Sequence, residues 1–257
     1  MDSAATVPAI EFRKVSKSFG NKVVLQDISI GFEPGKLSIL CGLSGSGKSV
    51  MLKHVLRLLR PSSGSLHIFG QDIATLNGTQ MRLMLRRFGM VFQHGALFDS
   101  LTAAENVAFP LREQQPDVPM SEVQERVQGL LTAVGLSDAG DKLPSDLSGG
   151  MHRRVALARA LVTHPEVILF DEPTTGLDPI MTVVIEDLIL ETHRKIGYTG
   201  VIITHSMETA LKIGDTIALI VDGRIHFRGT PDDFRHTQDP AVRQFVEKRG
   251  TGPIRIQ

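Results

Sequence analysis

Eight consecutive residues, Gly42-Leu43-Ser44-Gly45-Ser46-Gly47-Lys48-Ser49, have the composition and spacing needed to hold a row of phosphates. A glycine-rich backbone curls its N–H groups around phosphate oxygens with no Cβ in the way. Lys48 adds a flexible cation that reaches β- and γ-phosphates, and the Ser49 hydroxyl is a ligand for Mg²⁺. Far along the chain, Asp171 and Glu172 stand side by side after the apolar run Val167-Ile168-Leu169-Phe170. Consecutive carboxylates point differently, so Asp171 suits a metal ion and Glu172 suits the proton of an attacking water. The other reading of the pair is a helix cap ahead of Pro173. Together with the glycine loop, the pair points to nucleotide hydrolysis.

Such groups need elements to aim them. Residues 37–41 are a short apolar run that reads as a buried strand. Val50, Met51, Leu52, Val55, Leu56 and Leu59 then recur at helical spacing, ending near Pro61. Strand, glycine loop and helix is the context a phosphate loop requires, because the helix N-terminus adds partial positive charge. Further buried strands are expected at 88–92, 167–170, 201–204 and 217–221, with a helix after Pro179. The alternation predicts an α/β fold with a largely parallel central sheet, whose ligands sit at the C-terminal strand ends. Gly42, Gln93, Asp171 and His205 all occupy such ends.

Residues 10–12 and 23–32 read as an antiparallel edge sheet, with Lys17-Ser18-Phe19-Gly20 as a turn between them. Phe19 either stacks its face on a nucleobase or packs inside the hairpin. A strand at 66–69 and a helix at 81–87 follow. Residues 94–163 change character and are expected to be a mainly helical insertion, broken by Pro110, Pro116 and Pro119.

The 257 residues suffice for one large domain with subdomains. Lys and Arg number 28 and Asp and Glu number 28, a balance that gives no support to a dedicated nucleic-acid domain. Cys41 is the one cysteine, so no internal disulfide forms; a reducing compartment and a packing role are expected. The first ten residues lack the pattern of a secretory signal. No apolar run approaches 18 residues, so membrane association is expected only through a partner.

Leu147-Ser148-Gly149-Gly150-Met151 resembles the LSGGQ signature of ABC-type ATPases. The whole order agrees with that family: Phe19, the loop at 42–49, Gln93, the signature, Asp171-Glu172, Gly176-Leu177-Asp178, His205. The resemblance implies a P-loop NTPase fold with a RecA-like core (1–93 and 164–237), an antiparallel β edge subdomain and a helical subdomain (94–163). A tail, 238–257, follows the ATPase domain of 1–237. It implies ATP and Mg²⁺ as ligands and a head-to-tail dimer. Ser148, Gly149 and Gly150 then dock on the γ-phosphate held by the other copy. Ser148 is a good N-cap, and the two glycines are expected to leave backbone N–H groups bare at a helix start. By the same resemblance, Gln93 contacts Mg²⁺ or the lytic water and reports to a permease. His205 contacts the γ-phosphate, and Asp178 communicates across the dimer. Met151 departs from the usual glutamine and cannot make a strong hydrogen bond. Leu43, where many relatives have proline, mainly shapes the loop.

Within that family, His94-Gly95-Ala96-Leu97-Phe98-Asp99-Ser100-Leu101-Thr102, followed by Glu105-Asn106-Val107, is similar to the Mla/Mce-type lipid-transport ATPases. Met151 with Arg153-Arg154, and the tail Asp239-Pro240-Ala241-Val242-Arg243-Gln244-Phe245 with Gly252-Pro253, agree. This implies an integral-membrane permease, an Mce-domain protein and a small STAS-domain subunit as partners. It also implies phospholipid as cargo, no nucleic-acid partner, and a peripheral place on the cytoplasmic face of an inner membrane. Leu97 and Phe98 either receive a permease helix or pack between lobes. The tail, with Val242, Phe245 and Val246 on one helical face, either meets a neighbouring subunit or folds back on its own domain. The alternatives in function are an importer ATPase for amino acids or metals, and a soluble ABC ATPase acting on nucleic acid.

Overall fold

The computed structural model describes residues 7–254; residues 1–6 and 255–257, the outer ends of the expected ATPase domain and tail, lie outside them. The chain forms two compact units, Met1–Met81 with Thr199–Gln257, and Arg82–Tyr198. The second takes strands and a long helix in with the expected helical insertion of 94–163.

The first unit opens with β1 (Ile10–Phe19) and β2 (Lys22–Phe32), an antiparallel pair. The strand pairing runs to Phe19 opposite Lys22, so Lys17 to Phe19 extend a strand and the turn is only Gly20 and Asn21. Gly20 supplies the left-handed φ of 55° that a two-residue hairpin needs. β3 (Leu37–Cys41) is buried at all five positions, as a strand covered on both faces must be. It leads through the glycine loop into α1 (Lys48–Val55). β4 (Ser63–Ile68) and β5 (Gln71–Asp72) complete an antiparallel sheet ordered β2-β1-β4-β5. α2 (Gly78–Leu85) follows.

In the second unit, β6 (Phe88–Val91) leads into α3 (Ala103–Gln114), α4 (Met120–Ala133) and α5 (Gly149–Leu161). β7 (Val167–Asp171) pairs parallel to β6, and α6 (Pro179–Ile196) completes the unit. Arg87 donates to both oxygens of Glu166 at 2.6 Å, fixing the entry of the two strands in one register. Pro110 does not end α3 as expected; it lies inside the helix, which continues to Gln114. The loss is one backbone bond, while Ala103, Val107 and Leu111 keep a buried stripe.

The chain returns to the first unit as β8 (Thr199–Thr204), α7 (Met207–Ile213), β9 (Thr216–Val221) and β10 (Arg224–Gly229). β8 and β9 flank β3 in parallel, and β10 pairs antiparallel to β9. α8 (Pro231–His236) and α9 (Pro240–Val246) come last. The tail folds back onto α9. The buried Gln244 amide donates to Ile254 O at 3.0 Å and accepts from Ile254 N at 2.8 Å, pairing as a strand backbone would.

Candidate nucleotide-binding site

In the first unit, Cys41 on β3 stands opposite Thr204 on β8. Gly42 and His205 therefore leave neighbouring parallel strands at the same end, where α/β sheets bind ligands. Gly42 passes so close to β9 that a Cβ there would sit 2.5 Å from Ile220 O, so only glycine lets the loop begin at this place. Gly47, with φ 104°, caps α1 without a side-chain hydrogen bond, and no acidic residue stands in the helix's first turn. The helix thus presents uncompensated N–H dipoles towards the loop. Lys48 is buried and donates from Nζ to Gly42 O at 2.8 Å and Leu43 O at 3.0 Å. This ammonium is held inside the curl of the loop, at the centre of any phosphate row it cradles. Ser46 Oγ is buried with no hydrogen-bond partner among the described residues. An orphaned hydroxyl at this point suits a phosphate oxygen as its partner. Ser44, Gly45 and Ser49 are exposed on the loop and at its helix start, and His205 is exposed at the end of β8.

Phe19 is 46% exposed, so hairpin packing is not its role. Lys17 Nζ lies 5.1 Å from the ring centroid and donates to Arg60 O at 2.8 Å. A cation on one face orients the ring for an aromatic ligand on the other.

In the second unit, Val91 stands opposite Phe170, so Gln93 and the carboxylates Asp171 and Glu172 leave parallel neighbours at one end. Asp171 closes β7 and is half-buried. Glu172 has φ 51°, the left-handed region that non-glycine residues rarely enter. Its Oε2 accepts from Thr175 Oγ1 at 2.7 Å. The carboxylates do not cap a helix ahead of Pro173: the next helix, α6, begins at Pro179, and Asp178 is its N-cap, accepting from Met181 N at 2.9 Å.

Ser148 caps α5, accepting from Met151 N at 3.3 Å. Ser148 and Gly149 are exposed, with no acidic residue in the first turn, so this end is open to an anion. Gly150 departs from expectation: it is buried, with Met181 lying against it. Met151 donates only its backbone N–H to the cap. The described residues contain no group of three or more His, Cys, Asp or Glu arranged to hold a metal. Ser49 in the first unit, and Gln93 and Asp171 in the second, each carry the oxygen that a hard cation such as Mg²⁺ takes as a ligand.

Several residues take roles that the sequence reading did not assign to them. Asn106, fully buried, donates from Nδ2 to Phe98 O, Leu101 O and Thr102 O, and accepts from Phe98 N at 2.8 Å. It holds the 98–102 loop so that Phe98 stays 46% exposed beside Phe109, ring centroids 4.7 Å apart. Phe98, Phe109 and Phe92 line a groove of about 270 Å³ that Arg159 also borders. Phe109 was detectable as an aromatic off the apolar stripe of α3. The contact of Arg153 with the backbone carbonyl of Thr175 left no signal in the sequence.

Comparison with known proteins agrees with this architecture. Residues 25–175 match the family model described as ABC transporter. The Haemophilus influenzae intermembrane phospholipid transport system ATP-binding protein MlaF is 37% identical over 248 residues, 96% of this chain and 94% of that protein. The probable ribonucleotide transport ATP-binding protein mkl of Mycobacterium leprae is 39% identical, covering 96% of this chain and 71% of its own length. The Xanthomonas campestris methionine import ATP-binding protein MetN is also 39% identical, over 93% of this chain and 72% of its own length. Among solved structures, a dimeric post-hydrolysis state of the ATP-binding cassette MJ0796, bound to ADP and Pi, matches with TM-score 0.78 at 30% identity. It covers 86% of this chain and 98% of that one. On these grounds the chain belongs to the ABC transporter family, as an ATP-binding subunit whose hydrolysis of ATP is coupled to transport.

Proposed function

We propose that this chain powers phospholipid traffic between inner and outer membranes, in a transporter of the Mla/Mce type. The observation that carries the reading is its similarity to the Haemophilus influenzae MlaF protein over 96% of this chain and 94% of that one. ATP chemistry places no demand on the tail stretch at 239–245, so its resemblance to lipid-transport ATPases supports the same transport system.

In this reading the phosphate loop at 42–49 holds ATP, with Lys48 on the β- and γ-phosphates and Phe19 beneath the base. Ser49, Asp171 and Gln93 would hold Mg²⁺, which would supply positive charge against the phosphates. Glu172 accepts the proton of the attacking water. His205 donates to the γ-phosphate, which concentrates charge as the bond to the leaving phosphate breaks. The exposed start of α5 at Ser148 and Gly149 receives the γ-phosphate of a second copy, and Asp178 faces that copy. The dimeric state of the related ATP-binding cassette MJ0796 supports the pairing of two copies. ATP joins the two copies and hydrolysis parts them, because the favoured geometry depends on the γ-phosphate.

The groove lined by Phe92, Phe98 and Phe109 supports docking of an apolar helix from an integral-membrane permease. No helix among the described residues is long and apolar enough to cross a membrane. In this reading the chain attaches at the cytoplasmic face of the inner membrane through that permease. An Mce-domain protein and a small STAS-domain subunit complete the proposed assembly. The second reading, a methionine importer, is favoured by the similarity to MetN, which is longer than this chain's match to it. Purifying the intact complex from membranes and identifying its bound small molecules by mass spectrometry tests both. Co-purified phospholipid with an Mce-domain protein is expected; a lipid-free complex that binds methionine overturns the reading.

A further inference from the structure

Two arginines on α5 are buried without an ion pair among the described residues, Arg153 and Arg159. Burial lowers the pKa of both guanidinium groups from the ordinary arginine value. A buried cation that faces only carbonyl oxygens is an expensive choice where an apolar side chain would pack. What they hold is therefore informative. Arg153 is 6% exposed and donates from Nη2 to Thr175 O at 3.0 Å, while its buried Nε has no hydrogen-bond partner among the described residues. Arg159 donates to Gly95 O at 2.6 Å and Ala96 O at 2.7 Å. Each clamps a loop just beyond a residue of the nucleotide site, Glu172 in one case and Gln93 in the other. Each loop also contains a non-glycine residue in the left-handed region, Glu172 at φ 51° and Ala96 at φ 48°. Such a backbone persists only where neighbours over-determine it.

We propose that Arg153 is a positioning residue for the Glu172 carboxylate, acting through Thr175 and fixing it relative to the signature helix. The path is short and within one unit. Arg153 pins the Thr175 carbonyl. Thr175 N bonds back to Glu172 O at 3.3 Å, closing the turn. Thr175 Oγ1 donates to Glu172 Oε2 at 2.7 Å, which sets the direction of the carboxylate. Because α5 begins at Ser148, the helix that offers its N-terminus to an anion also sets where the base points. The inference rests on Glu172 being the base, and Glu172→Gln, assayed alongside, tests that separately.

The test uses the full chain, with ATP hydrolysis measured against ATP concentration for Arg153→Met, Thr175→Val and the double variant. Each single change is expected to lower kcat about tenfold while KM stays within about twofold, as misplacement of a base rather than loss of binding requires. The double variant is expected to be no slower than the slower single, and Thr175→Ser to restore kcat. A normal kcat in Arg153→Met, or losses that multiply in the double variant, overturns the proposal. Should Arg153→Met not fold, Arg153→Gln takes its place under the same two criteria. If instead Glu172→Gln hydrolyses ATP at a near-normal rate, it is the assignment of the base that fails.

Discussion

Met181 lies against Gly150 so closely that a Cβ at position 150 would overlap its Cε. One residue belongs to the first turn of α6, where Asp178 accepts from Met181 N at 2.9 Å; the other to the first turn of α5, capped by Ser148. The contact joins the signature segment to the segment that follows Asp171 and Glu172, and glycine at 150 makes it fit.

Gly150→Ala is expected to displace the flexible end of Met181 rather than unfold the unit. Alanine in a helix is about 1 kcal/mol better than glycine, so the melting temperature should hold or rise slightly. ATP turnover should fall about tenfold, since the displaced Met181 side chain disturbs the packing between the starts of α5 and α6. Met181→Ala added to Gly150→Ala should recover much of that loss. Equal activity of Gly150→Ala and the native chain in a steady-state assay would show the contact to be without consequence.

Lys48→Ala and Glu172→Gln should separate binding from turnover. The first removes the ammonium bonded to the carbonyls of Gly42 and Leu43 and should abolish ATP binding by calorimetry. The second keeps shape and a hydrogen-bonding partner for Thr175, so it should bind ATP normally yet turn over about 100-fold more slowly or worse. Tight binding by Lys48→Ala would remove the lysine from its assigned role.

Phe98→Ser combined with Phe109→Ser should leave the ATPase rate of the isolated chain unchanged, because the pair lies beside the loop that Asn106 holds. Affinity for the permease should fall at least about tenfold, as loss of aromatic anchors does at interfaces. Full retention of the permease complex in a detergent pull-down would exclude the groove as its seat.

Gln244→Ala should free the tail. Both amide bonds to Ile254 are buried, and leaving the Ile254 N–H and C=O unpaired costs about 2 kcal/mol, or about 4–8 °C in melting temperature. Limited proteolysis after Arg249 should accelerate. An unchanged cleavage rate would mean that other contacts suffice.

Tyr198 gives the fold an alkaline limit. Burial pushes its phenol up to about 12, and its hydroxyl donates to Ile189 O at 3.1 Å. The folded chain holds this proton more tightly than the unfolded chain. The stability it contributes is thus complete below pH 10 and is lost as pH rises from about 10 to 12, by up to about 1.4 kcal/mol per pH unit. In Tyr198→Phe, Thr192 Oγ1 keeps its bonds to Leu188 O and Ile189 O, and urea midpoints should fall less steeply over that range.

The phosphate loop, the carboxylate pair, the signature and the strands that present them were legible in the sequence because each is local. A run such as Val167-Ile168-Leu169-Phe170 states its own burial, and glycines at fixed offsets state the backbone that a phosphate needs. Phe19 was ambiguous by the same logic, since an aromatic near a turn carries no mark of which way it faces. Pro110 misled because local preference against a mid-helix proline is weaker than the packing of the stripe around it. What only tertiary structure decided were contacts between residues distant in sequence that meet by a backbone atom or by the absence of one. Met181 finds Gly150 because there is no side chain there, and Arg153 finds the carbonyl of Thr175, an atom every residue possesses. Residue type carries no record of such meetings; they follow from where α5, α6 and β7 pack, and that is settled by the core as a whole.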